Sequence, residues 1–269
     1  VSAASKQDPG WQVPAYTAPV QRPKCHAFCV VVPVINEGPR IARLLQRMQA
    51  QQVASVADLV LVDGGSTDSS LAPATLTAAG VNTLLVKQGP GKLSAQLRCA
   101  YAWALQRNYA GVVTIDGNDK DDPGAIPAFI AALEEGFDFV QASRYVAGGQ
   151  GHNVPRSRDM AIRYLHAPLL AWASGHPWTD TTQGFRAYSA RVLRDPHVAP
   201  FRNVFVTYEL LAYLSYRIPR LGYRCTELPT TRRYPQGAVP SKIAGWRGNL
   251  DLLRTLLRAC RGGYNPKNQ

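Results

Sequence analysis

The sequence predicts an α/β protein, a mostly parallel sheet with helices on both faces, closed by a C-terminal amphipathic helical segment. Three observations carry this. Short apolar runs rich in β-branched residues recur from residue 28 onward, stripes at helical spacing lie between them, and polar residues cluster where the runs end. Continuous apolar strands alternating with helices are the pattern of a sheet buried on both sides. In such sheets the ligand crevice lies outside the strands' carboxyl ends.

Taken in order, residues 1–24 hold Pro9, Gly10, Pro14, Pro19 and Pro23 with little periodicity, and read as an extended arm pinned by Trp11 and Tyr16. The strand runs are 28–32, 59–62, 83–86, 111–115 and 137–142. Between them Ile41, Leu44, Leu45 and Met48 fall on one helical face, as do Leu93, Leu97, Ala100 and Ala104, and Ile126, Phe129, Ile130 and Leu133. Residues 143–178 are rich in Arg, His, Gly and Trp with an apolar patch at 164–173, and 204–216 read as a helix. A basic stretch over 217–247 precedes a last helix in which Trp246, Leu250, Leu253 and Leu257 share a face rimmed by Arg247, Arg254, Arg258 and Arg261. The expected organisation is an arm (1–24), one α/β domain (25–241) and a basic amphipathic helix with its tail (242–269).

Composition agrees with a folded domain: of 269 residues, 46% are apolar and 18% charged, enough to build a core. The 30 Lys and Arg against 18 Asp and Glu give a net charge of +12, which attracts phosphates on nucleotide, nucleic acid or lipid without choosing among them. Five cysteines without a CxxC pair read as reduced thiols rather than a metal site. No stretch approaches the length of a transmembrane helix, so a soluble or peripheral protein is expected.

Five polar clusters could carry chemistry. In VVVPVINEG, a strand ends at Pro33 and Asn36 and Glu37 stand at its carboxyl end; they serve either as helix cap and dipole partner or as ligand contacts. In LVLVDGGSTD, Asp63 ends a strand and accepts hydrogen bonds either from a tight turn or from a base or ribose. In VVTIDGNDKDDP, Asp116 ends a buried strand, with Asn118, Asp119, Lys120, Asp121 and Asp122 behind it. An oxygen-rich set there suits Mg²⁺ or Mn²⁺ shared with substrate phosphates. Asp122 before Pro123 is accounted for as an N-cap, Asp121 as a first-turn acid, while nothing local asks for an acid at 116. In TDTTQGFRAY, Asp180 and Arg186 either pair with each other or face a sugar and a diphosphate. The basic run Arg217, Arg220, Arg224, Arg232, Arg233, Lys242 and Arg247, interleaved with Tyr216, Tyr223, Tyr234 and Trp246, fits phosphate oxygens or a solvated face.

In this order the motifs resemble glycosyltransferase family 2, and within it the polyprenyl-phosphate hexosyltransferases of the dolichol-phosphate mannose synthase type. The similarity runs collinearly over roughly residues 28 to 235. It implies the Rossmann-like GT-A fold and a nucleotide-binding edge at Pro33, Asn36, Glu37 and Asp63. It also implies a donor-side segment with Gly91 and Lys92, the first acid of a DxD motif at Asp116, and a D-x-x-x-G-F-R pattern on Asp180, Gly184, Phe185 and Arg186. Glu209 falls on the acceptor side, and a basic acceptor-binding segment falls on Arg232, Arg233 and Lys242. Two positions depart from the pattern: Asn118 where the family has Asp, and Lys120 where this branch often has Gln. The implied metal ligands, Asp116 and Asn118, therefore bind a divalent cation weakly, and Lys120 is expected to take over part of its charge. Gly64, where many relatives carry a second Asp, leaves the base unread.

The resemblance implies inverting transfer of a hexose from a nucleotide-sugar, with Asp116 catalytic and Arg186 on the diphosphate. A phosphate acceptor is already ionised and needs no base. A sugar-hydroxyl acceptor needs a carboxylate to take its proton, Asp180 first and Glu209 second. The expected partners are the donor, a lipid-phosphate or glycan acceptor, and an anionic membrane surface met from the cytoplasmic side by the last helix and residues 164–173, although a terminal helix packed on the core accounts for the last stripe at least as well. The remaining alternative is a degenerate nucleotide or nucleic-acid binder, although no nucleic-acid module is recognisable.

Overall fold

The computed structural model describes residues 10–235 and 245–267. An eight-stranded sheet runs through it in the order β1-β4-β3-β2-β5-β8-β6-β9. At its centre lie β2 (Phe28–Val34), β3 (Asp58–Asp63), β4 (Thr83–Lys87) and β5 (Gly111–Thr114), all parallel and almost wholly buried. Their apolar residues alternate between two cores: Val31, Val60 and Val62 face one, Val30, Val32, Leu59 and Leu61 the other. A strand buried on both faces needs no polar alternation, and that is why these runs read as continuous.

The helices divide between the faces as their stripes dictate. α1 (Pro39–Ala50) turns Ile41, Leu44, Leu45 and Met48 inward, and the short α2 (Pro73–Ala78) adds Leu76. α4 (Ile126–Glu134) buries Ile126, Phe129, Ile130 and Leu133 on the same face, after a 3₁₀ turn capped by Asp122, whose side chain accepts from the Gly124 N–H at 3.2 Å. α3 (Leu93–Gln106) covers the opposite face and is buried on every side, because α8 (Glu209–Arg220) and the short α7 (Ala190–Arg194) pack over it.

Three features depart from the expectation. Residues 16–21 of the arm form β1 (Tyr16–Gln21), an edge strand antiparallel to β4. β8 (Arg186–Ser189) is inserted antiparallel between β5 and β6 (Phe139–Ser143), so the sheet is mixed although six of its eight strands run one way. The last helix, α9 (Gly245–Cys260), packs against α8 and α6 (Ala167–Ser174), with Leu256 and Ala259 as its deepest residues and Tyr264 buried just after it. That face belongs to the core. The side chains of Trp246 and Arg247 lie outside the described residues, as does Lys242.

On the far side β9 (Cys225–Pro229) lies parallel to β6 and leads into β10 (Thr231–Arg233), which pairs with β7 (Gln150–His152) beyond the sheet edge. Helix α5 (Arg156–Ala161) continues through a π turn at Ile162–His166 into α6. Among the described residues no helix is long and apolar enough to cross a membrane.

Candidate active site

All the strand-end residues singled out above fall on one edge. At the β2 and β3 ends, Asp63 Oδ1 accepts from the Ser66 hydroxyl at 2.6 Å and from the N–H groups of Ser66 and Gly65 at 2.8 and 3.2 Å. Asn36, at φ 48°, accepts from the Thr67 N–H at 2.8 Å and donates its own N–H to the Ser66 hydroxyl at 3.0 Å. Glu37 is 6% exposed and pairs with Arg40 at 2.8 Å. These residues thus interlock the loops that follow β2 and β3, with Pro33 buried in β2. Gln96 of α3 donates to the Val34 and Val62 carbonyls at 2.8 and 2.9 Å, tying both strand ends together. A Cβ on Gly64 would come within 3.0 Å of that amide, so the missing side chain at 64 makes room for Gln96.

Past β4, Lys87 is buried and donates to the carbonyls of Gly89 and Pro90, shaping the turn to Gly91, at φ +98°, and exposed Lys92. The Lys92 and Ser94 N–H groups donate to Val206 and Thr207 carbonyls, both at 2.8 Å. Glu209 holds the same loop: it accepts from the Val206 and Thr207 N–H groups at 2.9 and 2.6 Å and from the Thr207 hydroxyl at 2.7 Å. Residues 204–208 are therefore a loop clamped to α3, and the helix expected from 204 begins only at Glu209.

Asp116 stands two residues past β5, at the middle of the edge. Its Oδ2 receives Arg232 at 3.2 Å and the Asn118 amide at 3.4 Å. Arg232 in turn reaches both oxygens of fully buried Asp121, at 2.7 and 2.6 Å, and that pair holds the guanidinium firmly charged although burial opposes it. Asp121 is therefore the buried anchor of Arg232 rather than a first-turn acid. Asp119 is neutralised by Arg43 and Arg47 of α1 at 3.1 and 3.0 Å. Lys120 makes no ion pair with any described residue; its ammonium lies 5.2 Å over the Tyr234 ring, and burial, then Arg232, lower its proton affinity. Arg233, exposed, donates its N–H to the Lys120 carbonyl at 2.7 Å.

The two carboxylates named as candidate bases are both engaged. Asp180 is fully buried and pairs with Arg144, not Arg186: Arg144 Nε and Nη2 donate at 2.7 and 3.0 Å, Gln183 at 2.6 Å and the Thr182 hydroxyl at 3.1 Å. Burial alone would raise its pKa, but Arg144 and Gln183 hold it below the usual carboxylate range. Arg186, 1% exposed, spends its guanidinium on the carbonyls of Gln183, Leu211 and Thr181 and the Ser215 hydroxyl, so it cannot reach a diphosphate.

Sequence reasoning passed over Arg144 and the site role of Tyr234. Arg144 directly follows a buried strand, the same positional signal that picked out Asp63 and Asp116. Its Nη1 donates to the Tyr234 hydroxyl at 3.0 Å, and Arg158 does so at 3.4 Å. Burial would raise the Tyr234 phenol, but Arg232, Arg144 and Arg158 bring it below its ordinary value. Arg144 also lines a half-open cavity of about 450 Å³ with Tyr145, Arg156, Met160, Arg163 and Asp159, the last two paired at 3.1 Å. Met160, Tyr164, Leu165 and Trp172 are 60%, 76%, 48% and 82% exposed along the helical segment beside it.

A mixed sheet that sets Asp63 and Asp116 at one edge, with Lys120 and Arg233 unpaired beside them among the described residues, suits an enzyme of phosphorylated substrates. The chain belongs to glycosyl transferase family 2, whose family model matches residues 29–196. It is 26% identical over 263 residues to a polyprenol monophosphomannose synthase of Mycolicibacterium smegmatis, covering 91% of this chain and 95% of that one. It is 29% identical over 203 residues to an undecaprenyl-phosphate mannosyltransferase of Micrococcus luteus, covering 75% and 81%. In fold it is similar to glucosyl-3-phosphoglycerate synthase of Mycobacterium tuberculosis crystallised with phosphoglyceric acid, at a TM-score of 0.60 and 21% identity over 87% of this chain and 80% of that one. A crystal of the same synthase with Mn²⁺, UDP and glucosyl-3-phosphoglycerate gives 0.57 over the same shares. The fold is thus GT-A-like and the chain is a glycosyltransferase.

Proposed function

We propose that the chain transfers a hexosyl group from a nucleotide-sugar to a polyprenyl-phosphate-type lipid, with inversion, while lying on the inner face of a membrane. One observation carries the acceptor: a cavity with Arg144, Arg156 and Arg163 and a single acid, Asp159, in its wall opens beside an exposed apolar strip. Asp159 pairs with Arg163 and Arg144 with Asp180, which leaves Arg156 for an incoming phosphate. A phosphate on a hydrocarbon chain needs the cation and the apolar strip at once. The names of the two relatives above point the same way.

The engaged carboxylates favour this acceptor over a sugar hydroxyl. Asp180, the first candidate base, has both oxygens filled by Arg144, Gln183 and Thr182, and Glu209 is committed to clamping the 206–207 loop, whereas a lipid phosphate arrives ionised. In the proposed reaction an oxygen of that phosphate forms a bond to the anomeric carbon as the carbon–oxygen bond to the diphosphate breaks, and no proton moves. The crevice at Pro33, Asn36, Glu37 and Asp63 holds the nucleoside, with Gly91 and Lys92 lying along the donor. Asp180 and Arg186 act by position: one fixes Arg144, the other the start of β8 against α8. Arg232 sets Asp116, while Arg233 adds positive charge on the acceptor side.

The donor set at Asp116 suits a divalent cation that arrives with substrate phosphates. Asp116 Oδ1 takes no hydrogen bond from a described residue, and Asn118 can offer an amide oxygen. Among the described residues, however, no three acids, cysteines or histidines cluster to cage an ion. When bound, Mg²⁺ or Mn²⁺ would neutralise charge on the leaving diphosphate.

The test is a radiolabelled donor panel (UDP-, GDP-, CDP- and TDP-hexoses) against polyprenyl phosphate, free polyprenol and soluble saccharides. Label should enter the organic phase only with the phosphorylated lipid. Transfer to a saccharide hydroxyl and none to the lipid phosphate would replace this reading with that of a glycan-extending enzyme.

A further inference from the structure

Resting on the donor reading above, we propose that the Lys120 ammonium serves as a built-in counter-charge for the donor diphosphate, so that a nucleoside diphosphate binds this chain without a divalent cation. The charges around the mouth of the sheet pair off residue by residue. Arg144 is matched by Asp180, Arg232 by Asp121, and Arg43 and Arg47 by Asp119 and Asp122. Asp116 shares Arg232 at 3.2 Å. Of the cations around this centre, Lys92, Lys120, Arg158 and Arg233 have no carboxylate partner among the described residues. Lys92 and Arg233 are exposed and Arg158 leans on Tyr234, while Lys120 is half-buried and follows Asp116 in the same loop.

That loop fixes the lysine from both ends. The Asn118 side-chain oxygen accepts the Lys120 N–H at 3.2 Å, and the Lys120 carbonyl accepts the Arg233 N–H at 2.7 Å. Its stem passes beside Tyr234, with the ammonium 5.2 Å above the ring. An unpaired cation in a half-buried place next to other cations is unfavourable until an anion arrives. An acid at 118 and a neutral residue at 120 would make the same mouth more negative by two charges. Two charges are what a divalent ion brings, so this chain carries in its own side chains the compensation that such a mouth would otherwise draw from solution.

The experiment is calorimetric titration of UDP and GDP in EDTA and again in MnCl₂. Wild-type affinity should change by no more than about threefold between the two buffers, and Lys120→Gln should bind at least about tenfold more weakly in EDTA and recover in Mn²⁺. Lys120→Arg, which keeps the charge, should bind in EDTA like the wild type. The double variant Asn118→Asp, Lys120→Gln should bind only with Mn²⁺. Wild-type binding that appears only with Mn²⁺ overturns the proposal and leaves the donor reading standing. Binding of neither nucleotide in either buffer overturns the proposal, and the donor reading with it once CDP and TDP also fail to bind. A Lys120→Gln variant unchanged in EDTA, but with a raised KM for polyprenyl phosphate, would assign the ammonium to the acceptor and end the proposal.

Discussion

Asp116 and Gly184 meet across the mouth of the sheet, and their contact shows how little space the site has. A Cβ placed on Gly184 would lie 2.1 Å from Asp116 Oδ1, so the glycine is there to let the carboxylate stand where it does. Gly184→Ala must push that carboxylate aside. Because a misplacement of about 1 Å at a reacting centre costs roughly a hundredfold, kcat should fall by about that factor while the thermal midpoint stays within a few degrees. A fall in stability that accounts for the lost activity would show that the glycine serves folding instead. Asp116 was legible in the sequence because no cap, turn or pair asks for an acid there. The need for glycine at 184 was not, since it arises from a residue 68 positions away. Asp180 makes the same point in reverse: its neighbour in sequence is Arg186, but its partner in space is Arg144, 36 residues upstream.

At the scale of elements, the segment from α5 through α6 does two jobs. Its inner side carries His166, whose Nδ1 lies 2.7 Å from the Thr181 hydroxyl, next to the loop that holds Asp180. Burial, then Arg186, pushes this imidazole down to about 4 from 6.5. The folded chain therefore prefers the neutral ring, while the unfolded chain takes up a proton below about pH 6.5. Stability from this group is complete above that value and is lost as pH falls towards 4. At about 1.36 kcal/mol per unit, the loss approaches roughly 3 kcal/mol. Denaturant midpoints at pH 7.0, 5.5 and 4.5 should fall less steeply in His166→Asn, which keeps a polar atom near the Nδ1 position; parallel curves would refute the assignment. The break in this segment, a π turn over Ile162–His166, could not be read from the stripe 164–173, which mixes outward and inward residues. α9 stayed open in sequence between a surface helix and one packed on the core, because a stripe of leucines does not say whether lipid or α8 will cover it.

At the scale of the whole molecule, the cationic cavity and the apolar strip share one side, and this matters more for membrane contact than the net charge of +12. Trp172, Tyr164 and Leu165 project from a segment whose inner residues are packed, so replacing them leaves the core intact. Each such side chain buried in a bilayer is worth about 1.5–3 kcal/mol, so Tyr164→Ser, Leu165→Ser and Trp172→Ser together should lower partitioning onto anionic vesicles at least tenfold. Flotation measures this directly. Equal flotation of wild type and triple variant, or failure of the wild type to float, would remove the strip from the membrane account.

By itself the sequence determined the central sheet, the helices covering it and the edge on which chemistry takes place. Those follow from local periodicity and from acids standing where strands end, which the chain carries in neighbouring residues. Only the tertiary structure decided which charges cancel, which remain, and which apolar stripe is left uncovered. Pairs such as Arg144–Asp180 and Arg232–Asp121 join residues 36 and 111 positions apart, and a carboxylate's role depends on the donors that reach it rather than on its place in the chain.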